Sequence, residues 1–172
     1  MRLFIGLEIP PAVKEKIWDF VLPLQKSPKG WERPNDYHQT LLFIGETDAA
    51  ELDGISERFS RLAVDPFELE TSGFRFFGRR IMYLGLAPSA DLLRLKDLVH
   101  GAFPEKIDPH AKPFTPHITV KRWQRYEYDD LEAGVTTRAF APLRFSVTGI
   151  ALFKSEKDPE GNKYHVIQRS GR

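Results

Sequence analysis

Tyr37-His38-Gln39-Thr40-Leu41-Leu42-Phe43-Ile44 decides the reading of this chain, because its pattern returns once. His38-Gln39-Thr40-Leu41 reads histidine, any residue, threonine, apolar. His117-Ile118-Thr119-Val120 reads the same, 79 residues later (117 − 38). Both stretches have strand-forming composition, and in a strand residues i and i+2 point to one face. His38 and Thr40 then share a face, as do His117 and Thr119. The alternate residues, Leu41 and Phe43 or Ile118 and Val120, are expected to face a core.

Outward from these stretches the chain nearly repeats. Leu3–Ile9 reads as a strand stopped by Pro10-Pro11, and residues 11–25 as an amphipathic helix disturbed at Pro23. Ser27-Pro28-Lys29-Gly30 reads as a turn. Asp48 with Glu51 is a capping box that opens a helix marked by Leu52, Ile55, Phe59 and Leu62. Phe67–Phe77 and Ile81–Leu86 read as a hairpin turning at Gly78-Arg79. Ser89–Val99 reads as a helix with Leu92, Leu93, Leu95 and Leu98, and Thr115–Arg122 as a strand. A short helix over Asp129–Arg138 follows. Leu143–Phe153 and Tyr164–Arg169 form a closing hairpin.

Strand, helix, strand, helix, strand thus occurs over residues 3–77 and again over 81–153. The first strands align as Arg2–Pro10 with Arg80–Pro88, an offset of 78 (80 − 2), close to that of the histidines. No linker or low-complexity segment divides the halves, so residues 1–172 read as one two-lobed domain.

Composition narrows the chemistry. The 172 residues include no cysteine, which removes disulfides, zinc–thiolate sites and thiol nucleophiles. Lys plus Arg (25) nearly balance Asp plus Glu (24), which excludes a strongly basic coat but not a local basic cleft. No stretch approaches the length of an apolar membrane span, and the N-terminus is interrupted too early by Glu8 and two prolines for a signal peptide. A soluble, cytoplasmic protein is expected.

If the lobes are related by a pseudo-two-fold, two imidazoles and two hydroxyls converge on one cleft. That set suits phosphoester transfer or hydrolysis. One neutral histidine takes a proton from the attacking water or hydroxyl, and the other, protonated, gives one to the leaving oxygen. Thr40 and Thr119 can hold the non-bridging oxygens. Arg122, five residues after His117, offers a planar fork for phosphate. The scheme requires no metal and no other cofactor. A two-histidine metal site lacks a carboxylate at ligand spacing. Lys121, Arg122 and Arg125, interleaved with Trp123 and Tyr126, form a group that could track RNA by charge and stacking; Lys121 and Arg125 read equally as a solvated strand end and turn. Arg79-Arg80 reads as a charged turn, and His100, His110 and His165 as surface or structural residues.

At these residues the sequence resembles the 2H phosphoesterase superfamily, with its two His-x-Thr/Ser-x motifs. Within it the chain resembles the bacterial and archaeal RNA 2′,3′-cyclic phosphodiesterase family, also called the 2′-5′ RNA ligase family. The likeness runs from Arg2–Pro10 through Trp31–Gly45 and Lys112–Arg122 to the Leu152–Glu156 segment. It departs at Leu42, where the family often has a basic residue, at Gln39, usually apolar, and at Lys112, usually arginine. The resemblance implies an α+β fold of two pseudo-symmetric lobes, each an antiparallel sheet with outer helices, around a central cleft. It implies hydrolysis of a terminal 2′,3′-cyclic phosphate on RNA to a 2′-phosphate. His38 would be the proton donor and His117 the proton acceptor, with Thr40, Thr119 and Arg122 binding substrate. The partner implied is an RNA end, tRNA fragments among them, met by a monomer away from any membrane. Alternatives are 2′-5′ ligation of tRNA halves at the same site, and an RNA-end-binding module without turnover.

Overall fold

The computed structural model describes residues 1–26, 29–122, 128–158 and 161–171. Strand β1 spans Arg2–Glu8 and helix α1 Pro11–Val21, with Pro11 at its first position, where the missing N–H costs nothing. Strand β2 spans His38–Glu46 and helix α2 Ala49–Ser60. The capping box of α2 is complete. The Glu51 N–H donates to Asp48 at 2.9 Å, and the Asp48 N–H donates to the Glu51 carboxylate at 3.3 Å. Strand β3 (Phe67–Phe77) turns at Gly78, whose φ of 53° favours glycine, into β4 (Ile81–Leu86). Helix α3 covers Ala90–Ala102, β5 His117–Arg122 and α4 Tyr128–Thr136. The last three strands are β6 (Arg144–Val147), β7 (Gly149–Asp158) and β8 (Gly161–Gly171).

Two four-stranded antiparallel sheets result, ordered β2-β1-β7-β8 and β5-β4-β3-β6. Position by position the orders correspond: each motif strand is an edge, beside the first strand of its own half. The third place is exchanged. β3 leaves the first half to join β4, and β7 returns to join β1. The lobes are therefore not the two sequence halves. The expected single strand over Leu143–Phe153 is in fact two. The chain breaks at Thr148, placing β6 in one sheet and β7 in the other.

The 78-residue strand alignment is corrected as well. In β1 the odd-numbered Leu3, Ile5 and Leu7 enter the core, whereas in β4 the even-numbered Met82, Leu84 and Leu86 do. An even offset would superpose opposite faces. Pairing with the motif strands relates Gly6 to Tyr83 and Glu8 to Gly85, an offset of 77 (83 − 6). These two sets join Ile17 of α1, Ile55 and Phe59 of α2, and Leu92, Leu95 and Val99 of α3 in one apolar core. Leu93 and Leu98, counted among the apolar residues of α3, face outward.

Candidate active site

Strict alternation fails in both motif strands, and at the same place. In β2 the partner of Ile5 is Leu42 and that of Gly6 is Thr40, so Leu41 is an extra residue. In β5 the partner of Met82 is Lys121 and that of Tyr83 is Thr119, so Val120 is extra. Each bulge lies three residues after its histidine and reverses the faces beyond it. Leu41 and Leu42 both point inward, and Phe43, expected in the core, is 60% exposed beside Phe4. In β5 the same reversal turns Lys121 inward, at 2% exposure, and brings Arg122 to the face of Thr119. Ile118 and Val120 are buried as expected. Phe43 and Arg122 hold matching places, 79 residues apart (122 − 43).

The two histidines are held alike. His38 Nδ1 lies 2.6 Å from the Asp36 carbonyl oxygen, and His117 Nδ1 lies 2.7 Å from that of Thr115, two residues earlier in each case. A carbonyl only accepts, so Nδ1 carries the hydrogen and Nε2 is the reactive nitrogen of each neutral ring. His38 packs edge-on to Tyr164 at 4.4 Å and against Phe4 at 4.7 Å, and Phe4 stacks on Phe153. His117 meets Phe77 at 4.9 Å and Tyr83 at 5.4 Å, both edge-on. Burial pushes the His38 pKa down to about 4, against the opposing pull of the Asp36 carbonyl, and the positive charge of Arg122 adds to the depression. His117 is lowered for the same leading reason, and its carbonyl bond and Arg122 act in the same opposed senses.

Arg122 faces the surroundings of both motif strands. Its Nε donates to Glu32 Oε1 at 3.1 Å and its Nη2 to Thr119 Oγ1 at 3.4 Å, and its charge is close enough to the Tyr164 side chain of β8 to favour the ionised phenol. The chain ahead of β2 runs along β5. The Glu32 N–H donates to the Val120 carbonyl at 2.8 Å, the Arg122 N–H donates to the Gly30 carbonyl at 2.7 Å, and Trp31 bridges Lys121. Lys121 Nζ donates to the Lys29 carbonyl at 2.9 Å and sits 4.8 Å from the Trp31 ring centroid. Lys121 is thus a buried clasp, neither an RNA-tracking charge nor a solvated one. Trp123, Arg125 and Tyr126 lie outside the described residues.

The five site residues expected from sequence are arranged on β2 and β5, which lie against one another where the lobes meet. Glu32, Tyr164, Phe4 and Phe153 complete the surroundings without having been foreseen. The Trp31-Glu32-Arg33-Pro34 stretch carries no motif, and Tyr164 and Phe153 reach His38 only because the last hairpin joins the first sheet. Arg79 pairs with Asp129, as a charged turn should, His100 Nε2 contacts the Leu41 carbonyl, and His165 pairs with Glu156. Among the described residues no group of three or more His, Asp or Glu stands where it could hold a metal, and no helix is long and apolar enough to cross a membrane.

Two histidines anchored alike on pseudo-equivalent edge strands, with a guanidinium beside one of the paired threonines, form an arrangement suited to phosphoester chemistry. The chain belongs to the 2′-5′ RNA ligase superfamily, whose model matches residues 13–159. It is 27% identical to the RNA 2′,3′-cyclic phosphodiesterase of Thermotoga maritima over 97% of this chain and 93% of that one. It is 28% identical to the enzyme of the same name from Archaeoglobus fulgidus over 98% of each. A Thermus thermophilus crystal structure superposes with a TM-score of 0.74 at 27% identity, covering 98% of this chain and 96% of that one. Escherichia coli LigT complexed with 3′-AMP shares the fold, with a TM-score of 0.76 at 22% identity over 98% and 95% of the two chains.

Proposed function

We propose that this protein is a hydrolase that opens the 2′,3′-cyclic phosphate at the end of an RNA to give a 2′-phosphate and a free 3′-hydroxyl. The carrying observation is the matched anchoring of His38 and His117, which leaves Nε2 of each ring as the working nitrogen. Water attacks phosphorus as His117 Nε2 takes its proton. The P–O3′ bond breaks, and the departing 3′ oxygen receives the proton carried by His38 Nε2. Exchange with solvent returns both rings to their starting states. Thr40, Thr119 and Arg122 hold the non-bridging oxygens as charge builds on them. The names of the relatives support the substrate.

The exposed Phe43 supports a nucleotide on the His38 side. An aromatic face accepts any base by stacking, and the leaving 3′ oxygen belongs to that nucleoside. His38 as donor and Phe43 as base platform are therefore one consistent arrangement. Membership of the 2′-5′ RNA ligase superfamily favours a second use of the site, in which a 5′-hydroxyl replaces water and a 2′-5′ bond is formed. We take tRNA fragments as candidate substrates, a monomer of one two-lobed domain as the working unit, and the cytoplasm as its place.

The test is purified protein on a short RNA ending in a 2′,3′-cyclic phosphate, with EDTA present, and with a 5′-hydroxyl RNA offered in parallel. A 2′-phosphate product, lost in His38→Ala and His117→Ala, is expected. Equal turnover by those variants, or RNA binding without product, overturns the hydrolase reading.

A further inference from the structure

A carboxylate lies against the phosphate-binding cation, and the proposed reaction does not use it. Glu32 is only 7% exposed, while the side chain of Arg122 is 43% exposed. Their bond joins Nε, one edge of the guanidinium, to Oε1 at 3.1 Å. Glu32 cannot follow a moving arginine. Its own N–H is bonded to Val120, the next residue but one before Arg122, and Trp31 is bridged to Lys121. The carboxylate is thus mounted on the same short piece of sheet as the arginine it holds.

An arginine side chain is long, and its fork binds phosphate well only when its plane is fixed. Thr119 takes an Nη2 hydrogen at 3.4 Å, too weak a hold to fix it alone. We propose that Glu32 is a positioning residue for the reaction, holding the Nε edge of Arg122 so that the Nη edge is presented beside Thr119 to the phosphate. The inference rests on the hydrolase reading for its substrate, but the arrangement of Arg122 can be probed without turnover. Burial raises the Glu32 pKa to about 7, with the Arg122 charge opposing it, so the carboxylate retains substantial charge near neutrality.

The experiment compares Glu32→Ala, Glu32→Gln and Arg122→Ala with the wild type. Two readouts are used: hydrolysis of the cyclic-phosphate RNA, and binding of inorganic phosphate by calorimetry. Gln keeps an oxygen that accepts from Nε, whereas Ala does not. Glu32→Ala should raise KM and weaken phosphate binding about tenfold, and Glu32→Gln should restore both to within about threefold. In an Arg122→Ala background, Glu32→Ala should have no further effect, because Glu32 acts only through that guanidinium. Wild-type values in Glu32→Ala, no rescue by Gln, or an undiminished effect in the Arg122→Ala background each overturn the proposal. Phosphate binding that follows this pattern without RNA turnover in the wild type would retain the positioning role and reject the hydrolase reading.

Discussion

The carbonyl of Gly30 accepts the backbone N–H of Arg122 at 2.7 Å, stitching the approach to the first motif onto the end of the second. Gly30 has a φ of 79°, and a Cβ there would stand 2.0 Å from the Arg122 carbonyl oxygen. Backbone meets backbone at this point, so a rotamer change cannot relieve the clash. Gly30→Ala should lower stability by about 2–4 kcal/mol in urea unfolding and reduce turnover in the folded fraction. An unchanged unfolding midpoint would show that the clasp is slack.

Lys121 and Arg122 are adjacent cations with opposite expected roles. Lys121 is buried under Trp31 with its ammonium on the Lys29 carbonyl, so Lys121→Ala should cost about 1–3 kcal/mol of stability. Arg122→Lys keeps the charge but loses the fork and the Nε bond to buried Glu32, and should cost about 1 kcal/mol of stability while kcat/KM drops at least tenfold. Unfolding curves and steady-state rates on the two variants check the contrast; reversed outcomes would refute the assignment.

Phe43→Ala should leave stability almost unchanged, since the ring is mostly exposed, yet raise KM for RNA by about five- to a hundredfold. Phe43→Trp should preserve binding. The comparison is made on an oligonucleotide, and a KM indifferent to both changes would remove the stacking platform.

Catalysis needs one histidine protonated and the other neutral. Burial holds His38 near 4 and depresses His117 below its usual 6.5, so the free protein carries a single shared proton only in mildly acidic solution. The optimum of kcat/KM should therefore lie below pH 6.5. A bound phosphate anion raises both histidines, so the kcat profile should sit at higher pH than that of kcat/KM. Coincident profiles centred above pH 7.5 would contradict this.

Glu32 gives stability the opposite dependence. Its folded pKa, about 7, lies above the ordinary 4.5, so its contribution is complete below about pH 4.5 and is lost as pH rises through 7. His38 works the other way, losing stability as pH falls from 6.5 toward 4. Glu32→Gln retains the histidine effect and removes the carboxylate one. Relative to the wild type the variant should gain on the order of 2–3 kcal/mol between pH 5 and pH 8. Urea unfolding at both values measures it, and a constant difference would refute it.

The extent to which the sequence foretold this structure follows from what each feature depends on. Element positions depend on period and caps, so the Asp48–Glu51 box and the two motif strands were legible. That each motif histidine shares a face with its threonine was legible because both precede the bulges. Phe43 was misplaced because an inserted residue changes the face without changing composition. Arg122 comes to the face of Thr119 for a reason that alternation alone would have denied, since alternation favours Lys121. The exchange of β3 and β7 depends on long-range pairing, which leaves no local mark beyond the break at Thr148. Glu32 is recognisable only once Arg122 is beside it.

The exchanged strands also govern how the molecule comes apart. A cut at the turn around Gly78 would leave each fragment holding an interior strand of the other's sheet, like two links of a closed chain. Each fragment would keep its motif strand paired to β1 or β4, but would lose the strand on the other side of that neighbour if its partner unravelled. Global unravelling of either sheet therefore strips an interior strand from the other, and the two halves come apart together rather than one at a time.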